Sequence, residues 1–490
     1  MKRFTLLLCS FIVAFTVGGC KKWLDVGSKT DVVQTDMFSN EQGFMDAMSG
    51  VYYTMAGNAL YGDKLSMSFL DVLAHCYDIK SSKYTNYEYN LDYGSNTYYL
   101  DATPQAIIKN VWDTMYYAIA NDNNILANID AQQAVFNDNN YKLMKGEALG
   151  LRAFMHFDLL RMFGPSYLTE PHTKSIPYVT KFSGKIVTPL YTVAAVTDSV
   201  IKDLLQAEQL LQDDDLQTQS VDNSWINNRK CHFNKLAVEA TLARVYLYRG
   251  DKDQALQHAL NVINSGRLRF VTATEMQISQ QGAKADYSYS VEQIFSLYKD
   301  NIQDMVLHHF SFSGFNNSVP SQLTNQHAPD DNGGYVELLY ETSSGGATDI
   351  RYLYGWSPYY TSGSAYWYIS KYTQTYAKEQ KLVPLIRLPE MYYIAAECST
   401  DPVAALGYLN TVRTARAIKA LPDGLTAADF QQEIFKEYQK EFIAEGQLFY
   451  YYKRRNESYI VDNNQTAQLP TSRAMYVFPL PADEISVGGR

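Results

Sequence analysis

The stretch "NKLAVEATLARVYLYRGDKDQALQHALNVINSG", residues 234–266, decides the fold. Its Leu242, Ala243, Tyr246, Gly250 and Ala255 fall at the relative offsets of a tetratricopeptide repeat. The small Ala243 and Ala255 let two helices pack closely, Tyr246 fills the space between them, and Gly250 begins the turn. A weaker copy spans 385–417, where "RLPEMYYIAAE" and "DPVAALGYLNTVRTAR" form a second helix pair. A third pair spans 104–163. In it Trp112, Met115, Ile119 and Ile125 keep near-helical spacing. Ala148, Leu151, Met155, Leu159 and Met162 then recur every three or four residues until Gly164-Pro165 stops the helix. Further helices are expected over 41–56 and 192–212, the latter closed by Asp213-Asp214-Asp215, which reads as a solvated turn. The chain is therefore mainly α, a tetratricopeptide-like scaffold of helical hairpins over about 41–266 and 384–455.

Two stretches break this pattern. Residues 267–383 are rich in Gly, Ser, Asn and Tyr, with short β-like runs such as "QIFSLYK" and "YWYISKY". Residues 78–103 have the same loop-like texture. Long non-helical insertions are uncommon unless they have a task, so both are expected on a ligand-binding face.

At the N-terminus, Lys2 and Arg3 precede an apolar run, Phe4 to Val17, only about two-thirds of a membrane span. It ends in Val17-Gly18-Gly19-Cys20, a lipobox-like sequence. Residues 1–19 are thus expected to be a lipoprotein signal peptide, with Cys20 acylated and anchoring residues 20–490, a single domain, to a membrane. Beyond the signal, Cys76, Cys231 and Cys398 are too few and too scattered for a disulfide framework or a metal spacing. With 46% hydrophobic and 19% charged residues the chain can bury a large core. A net charge of −10 argues against nucleic acid as a partner.

Taken in order, the motifs resemble the SusD/RagB family of outer-membrane lipoproteins. "LRAFMHFDLLRMFGPSYL" (151–168), "LARVYLYRGDKDQAL" (242–256) and "VPLIRLPEMYYIAAE" (383–397) are similar to its helical segments. "LNTVRTARA" (409–417), "EYQKEFIAEGQLFYYYKR" (437–454) and "YVFPLPADEI" (476–485) resemble its C-terminal signatures. Within 437–454, Gln447 stands where the family has arginine and Tyr451 where it has aspartate, which puts a buried ion pair in question. The resemblance implies a SusD-like fold and a partnership with a SusC-like TonB-dependent outer-membrane barrel. It implies glycan capture at the cell surface without catalysis, on the irregular face opposite the repeat helices. Capture of peptides or protein fragments for the same type of barrel is the alternative, and a glycoside hydrolase the third reading.

The 40 tyrosines fit sugar recognition, because rings lie flat on CH-rich sugar faces while their hydroxyls reach rim groups. "KYTNYEYNLDYGSNTYYLD" (83–101) offers Tyr84, Tyr87, Tyr89, Tyr93, Asn96 and Tyr98; "DYSYS" adds Tyr287 and Tyr289. "RYLYGWSPYYTSGSAYWYISKY" (351–372) adds Trp356, Tyr359, Tyr360, Tyr366 and Trp367, although tyrosines alternating over 366–372 also fit the packing of a sheet face. No zincin, hydrolase-elbow, P-loop or dinucleotide motif occurs, so no cofactor and no metal is expected. His308-His309 read as strand neighbours facing opposite ways, a poor metal pair. "DDNGGYVELLYE" (330–341) lacks the glycine and ligand positions of a calcium loop and reads as a turn and helix. Asp349-Ile350-Arg351 reads as a structural ion pair.

Overall fold

Helices are set by caps at their starts and by apolar stripes along their length. The computed structural model describes residues 36–77, 102–183, 187–277, 284–310, 323, 325–327, 334–361, 364–374, 377–461 and 468–486. Helix α1 (Glu41–Met55) begins where the Asn40 side chain accepts from Gly43 N at 3.1 Å, and buries Phe44, Met48, Val51 and Met55. A short α2 (Phe69–Leu73) follows. Helix α3 (Ala102–Asn128) and α4 (Asn140–Phe163) form the expected third pair, and α5 (Val193–Leu210) packs on α4 from the other side. Flanked in this way, α4 is buried almost all round from Leu143 to Phe163.

The deciding stretch folds as read. Helix α6 (Lys235–Arg249) is capped by Asn234, whose side chain accepts from Ala237 N at 3.0 Å. Gly250 closes it with φ +86, a left-handed conformation that suits glycine. Helix α7 (Lys252–Ile263) folds back, with Ala243 and Ala255 fully buried at the contact.

The insertion after α7 leaves and returns through an antiparallel pair, β1 (Gln293–Tyr298) with β5 (Leu382–Arg387). Between them lie α8 (Ile302–His309), β2 (Asn325–His327), α9 (Tyr335–Leu339), α10 (Ile350–Gly355), β3 (Trp356–Thr361) and β4 (Ser364–Ile369). A second sheet has the order β2-β4-β3. The insertion therefore carries helices as well as strands. His308 and His309 sit on α8, not on a strand, and His309 is buried.

Because β5 returns beside β1, α11 (Leu388–Cys398) stacks directly on α7, and α12 (Pro402–Ala415) completes its hairpin. Arg244 of α6 reaches Glu390 of α11, Nη2 to Oε2 at 2.6 Å, and the Leu385 carbonyl at 2.8 Å. Helix α13 (Ala427–Glu441) and α14 (Gln447–Arg455) follow, then a small pair β6 (Tyr459–Val461) with β7 (Gln468–Pro470). Two short helices, α15 (Arg473–Tyr476) and α16 (Ala482–Ser486), end the described chain. One hydrophobic cluster runs from Phe38 to Phe478 through both helical arms.

The acidic turn after α5 is more than a solvated run. The Asp214 side chain is 3% exposed and accepts from Arg229 Nε and Nη2 at 2.8 and 2.9 Å. Arg229 also pairs with Glu147 and has no exposed surface, so it needs both carboxylates. Among the described residues no helix is long and apolar enough to cross a membrane.

Candidate functional site

Three aromatic residues, Tyr77, Phe310 and Tyr372, pack in one chain of rings. Tyr77 immediately precedes residues 78–101; it is buried and donates its hydroxyl to the Met67 carbonyl at 2.7 Å. Its ring lies 6.3 Å from that of Phe310, which immediately precedes residues 311–322. Phe310 stacks in turn on Tyr372 at 6.4 Å and 17°, and the Tyr372 hydroxyl donates to the Ala444 carbonyl at 2.7 Å. Leu323 N donates to the His309 carbonyl at 3.0 Å, so residues 309 and 323 lie side by side. His309 Nε2 is 2.8 Å from Asp63 Oδ1. Burial pushes the Asp63 carboxyl up, but the His309 imidazole, Lys64 and Ser68 together hold the group well below the usual carboxylate range. These contacts bring Tyr77, Phe310, Leu323 and Tyr372 to one place.

The expected ligand residues divide sharply. Cys20, Tyr84, Tyr87, Tyr89, Tyr93, Asn96 and Tyr98 lie outside the described residues. Tyr287 is half-buried, and burial pushes its phenol up. Tyr289, expected on the ligand platform, is 3% exposed with φ +55. Its ring lies 4.8 Å from the Arg387 guanidinium and 5.0 Å from that of Arg416, an interior cation–π role. Trp356, also expected there, is 6% exposed and packs in the main core. Neither has a face left for a sugar. Tyr359 is paired in register with Tyr366 across β3 and β4. Tyr366 and Trp367 are half-buried, and the Trp367 ring lies 6.1 Å from that of Tyr352. The Trp367 indole N–H is buried and meets no acceptor among the described residues.

Beneath this face lies a buried charge network. Glu441 Oε1 accepts from Arg387 Nη1 at 2.6 Å and Arg416 Nη2 at 2.7 Å; its Oε2 accepts from Arg351 Nη1 at 2.9 Å. Glu292 takes both Arg416 nitrogens at 2.7 Å, and Glu445 takes Arg387 Nε at 2.9 Å and Lys371 Nζ at 2.6 Å. Asp349 pairs with Arg351 at 2.7 Å, as read from the sequence. Burial would raise the Glu441 carboxyl, but Arg416, Arg387 and Arg351 hold it well below the usual range. Glu292, Asp349, Arg351 and Lys371 belong to the insertion; the other members belong to the scaffold. The network therefore fixes the irregular face to the helices. The position in question is also occupied: Gln447 Oε1 accepts from Arg161 Nη1 at 3.2 Å, and Arg161 pairs with Asp158.

Two grooves escaped the sequence reading. One, of about 680 Å³, joins Phe435, Tyr451, Tyr452 and Tyr459 to Gln431 and Arg455. The other, of about 570 Å³, is polar and includes Gln217, Asn228, Arg267 and Arg269. Each draws on several separate elements, so no local motif announces it. Glu341, at calcium-loop distance in the sequence, is held by Lys436 at 2.8 Å and Lys440 at 2.6 Å, an ion-pair role.

Comparison with known proteins places this architecture. The SusD family model matches residues 218–488, more than half of the chain. The chain belongs to the SusD family. A second family model, described as starch-binding associating with outer membrane, matches residues 22–247 of this SusD-family chain. A SusD superfamily protein from Bacteroides thetaiotaomicron superposes with a TM-score of 0.68 at 22% identity, over 92% of this chain and 98% of that one. A SusD-like carbohydrate binding protein from Bacteroides vulgatus gives 0.67 at 18% identity, over 92% and 97%. SusD-like protein P25 of Formosa agariphila is 24% identical over 174 residues, 35% of this chain and only 32% of that protein. The SusD fold, with its tetratricopeptide-like helices, thus accounts for the arrangement of the hairpins and the insertion between them.

Proposed function

We propose that the chain is a surface lipoprotein, anchored through Cys20, that captures an oligo- or polysaccharide and passes it to a SusC-like TonB-dependent outer-membrane barrel. The observation that carries this reading is the pair of SusD-family matches, which together span residues 22–488, one of them described as starch-binding. The Bacteroides vulgatus carbohydrate binding protein of the same fold supports the ligand class. Chemistry supports it as well. Tyr352, Tyr366 and Trp367 are half-buried aromatic residues on the insertion, and the tyrosine-dense 83–101 stretch begins six residues after Tyr77 in the sequence. Rings and amides bind a sugar without making or breaking a bond, so the role is capture and not catalysis.

The test is binding of the purified protein to a panel of polysaccharides, with reducing ends assayed in parallel. Saturable binding without new reducing ends is the expected result. Tyr87→Ala combined with Tyr89→Ala should weaken affinity at least tenfold with the unfolding temperature unchanged. Unchanged affinity would move the site away from 83–101. New reducing ends would make the protein a hydrolase, and binding confined to peptides would replace the sugar.

A further inference from the structure

We infer that Glu208, Glu239 and His258 form a site for a divalent transition-metal ion of the zinc class. Each comes from a different helix: Glu208 from α5, Glu239 from α6 and His258 from α7. The sequence shows no metal spacing because the three are brought together only by packing. In the folded chain their ligand atoms lie within 4.8 Å of one another. Tetrahedral zinc holds oxygen and nitrogen at about 2.0–2.2 Å, which puts neighbouring ligand atoms roughly 3.3–3.6 Å apart. Reaching that spacing takes a side-chain rotation of Glu208, the half-buried member, and opening of the His258–Glu239 contact from 2.7 Å.

The imidazole is oriented in advance. His258 Nδ1 is 2.7 Å from Glu239 Oε2, and its ring stacks on Tyr246 at 5.5 Å and 7°. Asn261 Nδ2 donates to the same Glu239 oxygen at 3.0 Å, the kind of outer contact that orients a ligating carboxylate. Charge favours a cation too. Glu208 and Glu239 set two carboxylates beside one imidazole nitrogen, a donor set of net negative charge. Lys235 is the nearby cation, but its ammonium donates to the Gln212 carbonyl at 2.8 Å. One imidazole with two carboxylates suits zinc better than calcium or magnesium, which take six or more oxygens. Water from the open side would complete the coordination. The ion would clip α5 to the α6–α7 hairpin, a structural role independent of the sugar site.

Tag-free protein stripped with EDTA and titrated with zinc chloride in a calorimeter tests the inference. One zinc per chain is expected, with a rise in unfolding temperature. Glu208→Gln and His258→Gln should each weaken binding at least tenfold, while His172→Ala, at an exposed histidine outside the cluster, should leave it unchanged. Cobalt loaded into the unaltered protein should give the intense visible absorption of a four-coordinate ion, which keeps the test decisive where a variant fails to fold. Absence of stoichiometric zinc binding, binding that survives both cluster variants, or a weak six-coordinate cobalt spectrum would overturn the site.

Discussion

Gly446 shows how one residue can hold distant parts together. It has φ +69, donates its N–H to Asp71 Oδ1 at 2.9 Å, and would place a Cβ 2.1 Å from the Leu65 carbonyl oxygen. Gly250 also has a positive φ, but a Cβ there meets nothing within 4 Å. Gly446→Ala should therefore cost about 3 kcal/mol or more, and Gly250→Ala only about 1 kcal/mol, both read by urea denaturation. The sequence motif contains this glycine but gives no reason for it; the reason is the α2 loop, some 375 residues away. Tyr289 makes the complementary point. Its neighbours in sequence suggest an exposed loop, while a left-handed backbone turns the ring onto two buried guanidinium groups.

Among the elements, the helices were the most legible. Repeat offsets located the 234–266 and 385–417 pairs and apolar spacing of three and four the 104–163 pair, because burying one stripe is enough to specify a helix. The insertion was harder to read. Helix α8 is only eight residues long, so Ile302, Met305, Val306 and His309 mark barely two turns, and β2 of the second sheet is held by pairing with β4 about 40 residues on. The insertion is fastened by the Glu292–Arg416–Glu441–Arg387 network, whose members come from β5, the ends of α12 and α13, and the turn before β1. Arg416→Met should cost about 3–5 kcal/mol in chemical denaturation, since it leaves the buried Glu292 and Glu441 with only Arg387 as a shared partner. A loss below about 1 kcal/mol would mean that the network does not hold the insertion in place.

For the molecule as a whole, His156 links stability to pH. Its Nδ1 donates to the Arg152 carbonyl at 2.8 Å while Nε2 accepts from Val179 N at 2.9 Å, so the buried imidazole is neutral. Burial, with Arg152 adding repulsion, lowers its pKa to about 3. In the unfolded chain the group takes up a proton near pH 6.5, so its contribution is complete above that value and falls away as the pH drops toward 3. Between about pH 7.5 and pH 4.5 the loss should reach about 2–3 kcal/mol. His156→Gln should flatten that part of the stability profile, and an unchanged slope would assign the acid sensitivity elsewhere. At this scale the sequence by itself determined the helical scaffold and, through its ordered motifs, the family, because helix periodicity and signature residues are local and survive without knowledge of neighbours. Only the tertiary structure decided which aromatic residues keep a free face, where the grooves lie and which charges meet. Those properties depend on residues hundreds of positions apart being brought within a few ångströms.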